Sequence, residues 1–200
     1  IPKVNSNNLI CEPLKRNTAP SILYASLKIN QINQKAKLIV LPSDHYIEKL
    51  NEFYKNVEHA FSVSKSNHLI TFGVNPKFPS TNYGYIKVSN TRESFQKVLR
   101  FTEKPSMQLA ENFLRSDMYF WNSGIFVWST ETILNAFEKL EPSMIKIFKS
   151  NLKNFDSANE IHFFKNIFPK IKGLSIDYSI LEKAENTYVI KSNFEWSDLG

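Results

Sequence analysis

The chain has 200 residues, 42% of them hydrophobic, which suffices for one substantial core without obligatory staples. Its single cysteine, Cys11, excludes an internal disulfide and fits a reducing, cytoplasmic setting, and neither a charged-then-apolar leader nor an apolar run of about 18 residues marks a signal peptide or a membrane span. The net charge is +6, but the lysines are scattered and form no basic cluster with interleaved aromatics, so a nucleic-acid module is poorly supported.

In chain order, Leu9-Ile10-Cys11 reads as a short strand ending in Glu12-Pro13. Asn17 or Thr18 then caps a helix to about Ile32, with Pro20 in its first turn. Free backbone N–H groups at such a start bind anions, and Arg16 stands directly before them. Lys37-Leu38-Ile39-Val40-Leu41 reads as a strand buried on both faces that stops at Pro42, just before Asp44. Helical spacing follows from Glu48 to Ser66, then a strand from His68 to Val74, an alternation that predicts parallel crossover units. Residues 75–82 read as a loop. Tyr83 to Val88 and Phe95 to Phe101 alternate as strands of a more exposed, partly antiparallel section. Ser106 caps a helix to about Ser116, and Tyr119 to Trp128 reads as a buried strand interrupted at Asn122-Ser123-Gly124. Thr130 to Leu140, Pro142 to about Leu152, Asn159 to Phe168 and Ser175 to Lys183 read as helices, Thr187 to Lys191 as a strand, and Trp196 to Gly200 as a terminal turn.

Polar groups gather where strands end: Glu12, Asp44, Glu103 with Lys104, Asn122 and Asp198. Each has an ordinary reading, as a helix cap or Asx-turn for Asp44, loop acids for Glu12 and Glu103, a surface cation for Lys104, a bulge residue for Asn122 and a turn former for Asp198. Together, however, two carboxylates, a lysine and a helix start preceded by arginine suit a divalent ion and an extended phosphate chain, because ligands of open α/β sheets sit beyond strand ends. The four histidines lack metal-ligand spacing, and no GxSxG turn, Walker loop or dinucleotide fingerprint is present.

Several stretches carry a resemblance: Cys11-Glu12-Pro13-Leu14-Lys15-Arg16-Asn17-Thr18-Ala19-Pro20, Leu41-Pro42-Ser43-Asp44-His45, Thr71-Phe72-Gly73-Val74-Asn75-Pro76, Thr81-Asn82-Tyr83-Gly84-Tyr85-Ile86, Phe101-Thr102-Glu103-Lys104-Pro105, Trp121-Asn122-Ser123-Gly124, Ser175-Ile176-Asp177-Tyr178 and Trp196-Ser197-Asp198-Leu199-Gly200. In this order they resemble the mannose-1-phosphate guanylyltransferases of the sugar-nucleotidyltransferase superfamily. The resemblance implies an α/β, Rossmann-like nucleotide-diphospho-sugar transferase fold, a mixed, mostly parallel sheet flanked by helices, over a single catalytic domain spanning 1–200. It implies transfer of GMP from GTP to mannose 1-phosphate, with Asp44 and Asp198 holding Mg²⁺, Lys104 meeting the sugar phosphate, Glu103 and Asn122 contacting sugar hydroxyls, and Gly84 letting the sugar approach the backbone. Glu12 is assigned to guanine, whose N1–H and N2–H a carboxylate accepts together, with Arg16, Asn17 and Thr18 near the base or ribose. The alternatives are another hexose-1-phosphate nucleotidyltransferase and a non-catalytic regulatory subunit of the same fold; homo-oligomer formation is left open.

Two departures stand out. The family pattern usually has Gly where this chain has Asn82, the non-glycine residue most tolerant of positive φ. Members also carry, before the Glu-Pro segment, a glycine-rich nucleotide loop with a catalytic arginine and a lysine, and they continue beyond the tryptophan-aspartate-glycine turn. The start at Ile1-Pro2 without Met accordingly reads as a fragment truncated at both ends and missing its first β-α unit. The expectation is that this span alone binds nucleotide poorly and does not turn over, and that it exposes a sheet edge.

Overall fold

The computed structural model describes residues 4–5, 8–64, 67–89, 92–155 and 160–200. In chain order the elements are α1 (Thr18–Ile32), β1 (Lys37–Val40), β2 (His45–Ile47), α2 (Leu50–Val63), β3 (Leu69–Val74), β4 (Tyr85–Lys87), β5 (Phe95–Lys97), β6 (Arg100–Thr102), α3 (Met107–Leu114), β7 (Tyr119–Ser129), α4 (Thr130–Leu140), α5 (Pro142–Lys149), α6 (Glu160–Ile167), β8 (Thr187–Lys191) and β9 (Trp196–Asp198). Local chemistry accounts for many of the boundaries. Asn17 accepts from the Thr18 amide, the Ser106 side chain from the Leu109 amide and that of Ser129 from the Thr132 amide, while Pro142 opens α5.

The main sheet is built around β7, whose run of aromatic and β-branched residues suits a pleated, buried surface. One edge of β7 pairs with β3; the other is shared, with β1 taking its C-terminal half (Val40 opposite Phe126) and β4 its N-terminal half (Tyr85 opposite Trp121). Between these two partners β7 makes a bulge against β3, since Thr71 faces Phe126 while Gly73 faces Asn122. Gly124 sits in that bulge with φ of 70°, a conformation open to glycine at little cost. The end of β1 and the start of β4 thus confront each other across a gap on one edge of β7, and that gap opens the principal cavity.

Helices cover both faces. On one side α1, α4, α5 and α6 bury a cluster in which Tyr24, Phe148, Phe155, Phe164 and Phe168 pack ring against ring, each buried aromatic worth about 1.5–3 kcal/mol. On the other, α2 lays Phe53 and Ala60 against Ile70, Phe72, Val127 and Ile190. Leu38 and Val40 of β1 join the first cluster and Ile39 the second.

The α/β mixed sheet is as expected, but its parallel share is smaller. Among the described strands only β3 and β8 pair parallel. β1 and β3 do point the same way, as a crossover unit requires, yet β7 is inserted between them and converts two contacts to antiparallel. Other expectations change too. Leu9 to Cys11 forms no strand, and Leu9 and Ile10 are exposed, because no described strand offers them a ladder. β1 is half-buried, its neighbour on one edge being β7. Phe95 to Phe101 breaks into β5, which pairs with β8, and β6, which pairs with β4. β4 is buried, since α3 covers Tyr85 with Phe113. The interruption in β7 is the bulge within a continuous strand. Ser66 and Asn159, expected helix ends, lie outside the described residues. The terminal turn is instead strand β9, paired antiparallel with β2.

Candidate active site

The gap along β7 opens into a cavity of about 640 Å³ whose lining includes Glu12, Arg16, Asn17, Thr18, Gly84, Glu103, Lys104, Asn122 and Asp198. Asp44, the remaining sequence candidate, lies beside Asp198. Six separate chain regions, 12–18, 44, 84, 103–104, 122 and 198, therefore meet here.

At one end, the β2–β9 ribbon sets His45 opposite Asp198. Ligand atoms of Asp44, His45 and Asp198 all lie within 4.8 Å of one another. The turn is braced by the Leu199 amide donating to the Asp44 carbonyl at 3.0 Å and the Gly200 amide donating to Asp198 Oδ1 at 2.9 Å. A Cβ built on Gly200 would fall 2.7 Å from Asp44 Oδ2 and 3.3 Å from Asp198 Oδ1, so the two carboxylates converge on one small space. The Trp196 indole Nε1–H donates to His45 Nδ1 at 3.1 Å. An indole N–H can only donate, which leaves the neutral imidazole with its proton on Nε2. Burial lowers the His45 pKa, against the opposing pull of Asp198 and Asp44, in agreement with a neutral ring. Two carboxylates beside a nitrogen that bears a proton make an oxygen donor set, which fits a hard divalent cation such as Mg²⁺.

At the other end, Asn122 of β7 is held on three sides. Its Oδ1 accepts from Thr71 Oγ1 at 2.8 Å and from the Gly124 amide at 3.4 Å, and its Nδ2 donates to Asp177 Oδ1 at 3.0 Å. Glu103 follows β6, and burial, then Asp177, pushes its carboxyl up to about 7. Lys104 adopts φ of 44°, a left-handed conformation costing a non-glycine residue about 1–2 kcal/mol. Strain of this kind gathers at ligand sites. A Cβ on Gly84 would collide with Glu103 Oε2, so the glycine makes room for that carboxylate as well as for any ligand. Asn82 lies outside the left-handed region, so its replacement of a glycine strains no backbone.

The third wall is the start of α1. Here the expectation of free amides is overturned: Thr18 N donates to Asn17 Oδ1 at 2.9 Å, Ala19 N to the Leu174 carbonyl at 3.0 Å, and Pro20 has no N–H. The Thr18 hydroxyl accepts from the Ile176 amide at 2.9 Å. Arg16 donates through Nε to the Phe168 carbonyl at 3.1 Å and through Nη2 to that of Pro169 at 3.0 Å, which ties the wall to the turn after α6. Glu12 Oε1 accepts from Ser21 Oγ at 2.5 Å, which fixes the carboxylate at the cavity rim.

Reasoning from sequence assigned no role to His45, Ser21, Trp196 or Asp177. Three of them, His45, Asp177 and Trp196, lay in quoted stretches without a role of their own: an acid opening a short apolar helix looks like a cap, and the histidine and tryptophan stand inside β2 and β9. Ser21, inside α1, is marked by nothing local.

The cleft in this mixed α/β sheet thus has paired carboxylates suited to a cation at one end and a carboxylate, an amide and a lysine at the other. The chain belongs to the nucleotidyl transferase family, whose model matches residues 3–200. It is 34% identical over 202 residues to a mannose-1-phosphate guanylyltransferase of Escherichia coli, covering 97% of this chain and 44% of that protein. It is 33% identical over 200 residues to the one of Klebsiella pneumoniae, covering 98% and 42%. The chain thus spans less than half the length of these curated relatives. Among solved structures it is similar to a protein of Thermus thermophilus described as a mannose-1-phosphate geranyltransferase, with TM-score 0.84, 27% identity and coverage of 95% of this chain and 54% of that one. It is also similar to a protein of Helicobacter pylori described as a mannose-6-phosphate isomerase, with TM-score 0.79, 28% identity and coverage of 94% and 72%. Among the described residues no helix is long and apolar enough to cross a membrane.

Proposed function

We propose that this chain is the catalytic part of an enzyme that joins GTP and mannose 1-phosphate to give GDP-mannose and pyrophosphate. A phosphate oxygen of the sugar phosphate attacks the α-phosphorus of GTP in line, the bond from that phosphorus to the β-phosphate oxygen breaks, and pyrophosphate leaves. No covalent intermediate on the protein is needed, so its work is positioning and charge neutralisation. The observation that carries this reading is the placement of Asp44 with Asp198 at one end of a single cavity and Glu103, Lys104 and Asn122 at the other.

Asp44 and Asp198 would hold Mg²⁺, which when bound draws charge from the α-phosphate and the departing pyrophosphate. Lys104, whose charge also acts on Glu103 and Asp177, neutralises the sugar phosphate. Glu103 accepts from sugar hydroxyls and Asn122 donates to them. Glu12, steadied by Ser21, accepts the two N–H groups of guanine. Arg16 acts indirectly in this scheme, by anchoring the wall that carries Glu12 and α1.

The test is a substrate panel on the full-length protein: GTP, ATP, UTP and dTTP, each with mannose 1-phosphate and with other hexose 1-phosphates. GTP with mannose 1-phosphate should be used best, and Glu12→Gln should raise the KM for GTP about 10- to 100-fold while sparing that for the sugar phosphate. Preference for another nucleotide, or equal losses for both substrates, refutes the scheme. Assaying the 200-residue chain beside it tests the expectation that this span alone does not turn over.

A further inference from the structure

Asp177, an acidic group in the cavity lining, has no part in the scheme above. Asp177 opens a π-helical turn, Asp177–Leu181, closed by the Glu182 amide donating to the Asp177 carbonyl at 2.9 Å. Along an α-helix, side chains five residues apart diverge by about 140°. In a π turn they diverge less, and such turns are frequent at functional sites. Glu103 lies against both Asp177 and Glu182, its backbone N–H donating to Glu182. Asp177 lines the cavity with Glu103; the charged neighbours of this group are Glu103, Glu182 and Lys104, with Tyr178 on the same turn.

The bond from Asn122 to Asp177 carries chemical information. A carboxylate only accepts, so the nitrogen of the Asn122 amide must face Asp177 and its oxygen must face Thr71 and the Gly124 N–H. One hydrogen on Nδ2 is used at Asp177, which leaves the other for the cavity. The wall thus offers two acceptor carboxylates, Glu103 and Asp177, and one donor, Asn122. Neighbouring hydroxyls of a hexose match that set, since each both donates and accepts. A phosphate does not match it, because two carboxylates repel it, and it belongs instead by Lys104.

We propose that Asp177 determines hexose specificity: it locks the Asn122 amide as a donor to one sugar hydroxyl and, beside Glu103, accepts the hydrogen of another. This rests on the sugar-phosphate reading above. Burial raises the Asp177 carboxyl, which Asn122 and Lys104 partly oppose, so a hydroxyl donor would supply the partner that water has been denied.

The experiment uses the full-length protein and measures KM for GTP and for mannose 1-phosphate in wild type, Asp177→Ala and Asp177→Asn, together with a set of monodeoxy mannose 1-phosphates. Asp177→Ala should raise the KM for mannose 1-phosphate about 10- to 100-fold while changing that for GTP less than about twofold. The deoxy analogue that wild type rejects most strongly should be rejected about tenfold less by the variant, because the acceptor that its missing hydroxyl would have met is gone. Asp177→Asn, which can still accept from Asn122, should fall between. Unchanged discrimination by a folded variant, or equal losses for both substrates, overturns the proposal; if Asp177→Ala does not fold, Asp177→Asn alone decides. Should wild type refuse mannose 1-phosphate, the functional reading fails, and the same comparison with the hexose phosphate it does accept then judges Asp177 separately.

Discussion

Replacing Gly84 by alanine separates the cavity's architecture from its chemistry. The new Cβ would run into Glu103 Oε2, with Phe101 Cε1 at 3.3 Å, a tight contact that the ring must relieve by a few tenths of an ångström, and Asn122 Cβ at 3.5 Å in ordinary contact. Oε2 is the end of a flexible side chain, so Glu103 swings aside and the backbone stays. Displacing a side chain from its rotamer costs about 0.5–1.5 kcal/mol, and the reduced freedom of the unfolded chain returns about 0.4–1 kcal/mol. The net change in stability is therefore within about 1 kcal/mol, a Tm shift of roughly 2–4 °C for a chain of this size. Binding responds differently. Hydrogen bonds to a charged group are worth about 1.5–3 kcal/mol, so moving the carboxylate should raise the KM for the sugar phosphate about 10- to 150-fold. Thermal melting and steady-state kinetics with each substrate varied in turn measure both quantities. The reasoning is refuted if Gly84→Ala leaves the KM for the sugar phosphate unchanged, or if GTP binding suffers equally.

The remaining predictions concern charge. Glu103 sits near pKa 7 against an ordinary value of 4.5, so the folded chain holds that proton more tightly than the unfolded one. Its contribution to stability is complete below pH 4.5 and is lost as pH rises through about 7. Melting curves should thus show Glu103→Gln gaining on wild type across that window; a difference independent of pH would contradict the assignment. Asp44→Asn and Asp198→Asn should each weaken Mn²⁺ binding, followed by its electron paramagnetic resonance signal, by more than the roughly 10- to 100-fold typical of losing an outer-shell partner. Trp196→Phe, which removes the donor to His45 and trims the ring packed on Tyr83, should stay within that range; unaltered Mn²⁺ affinity in both aspartate variants would remove the metal site from the scheme.

Much of the helical framework was legible because its signals are local. Asn17 before Thr18, Ser106 before Met107 and Pro142 after Glu141 are start signals that act within one turn, and each works in the folded chain as capping chemistry requires. Strands were legible where long apolar runs marked them, as in β3 and β7. They were misread where only pairing could decide. Phe95 to Phe101 alternates throughout, yet its two halves serve different neighbours, and Leu9 to Cys11 has strand-like composition without a ladder to join. The anion-binding start of α1 also looked sound locally, until Leu174 arrived from far along the chain to take the Ala19 amide.

The same division runs through the site. Residue types at expected strand ends, together with the resemblance, picked out Glu12, Glu103, Lys104, Asn122 and Asp198, all of which line the cavity, but not Ser21, His45, Asp177 or Trp196, which line it too. Their grouping into two ends was a tertiary decision. His45 and Trp196 stand 151 residues apart, and only the pairing of β2 with β9 brings Asp44 and Asp198 onto one small space. The Asp177 cluster is less visible still, because the π turn that begins at Asp177 and the bulge from which Asn122 reaches it are set by packing between distant elements. Local propensities reach over a few residues, whereas the register of a bulged strand and the direction of a carboxylate are fixed by what lies across the sheet.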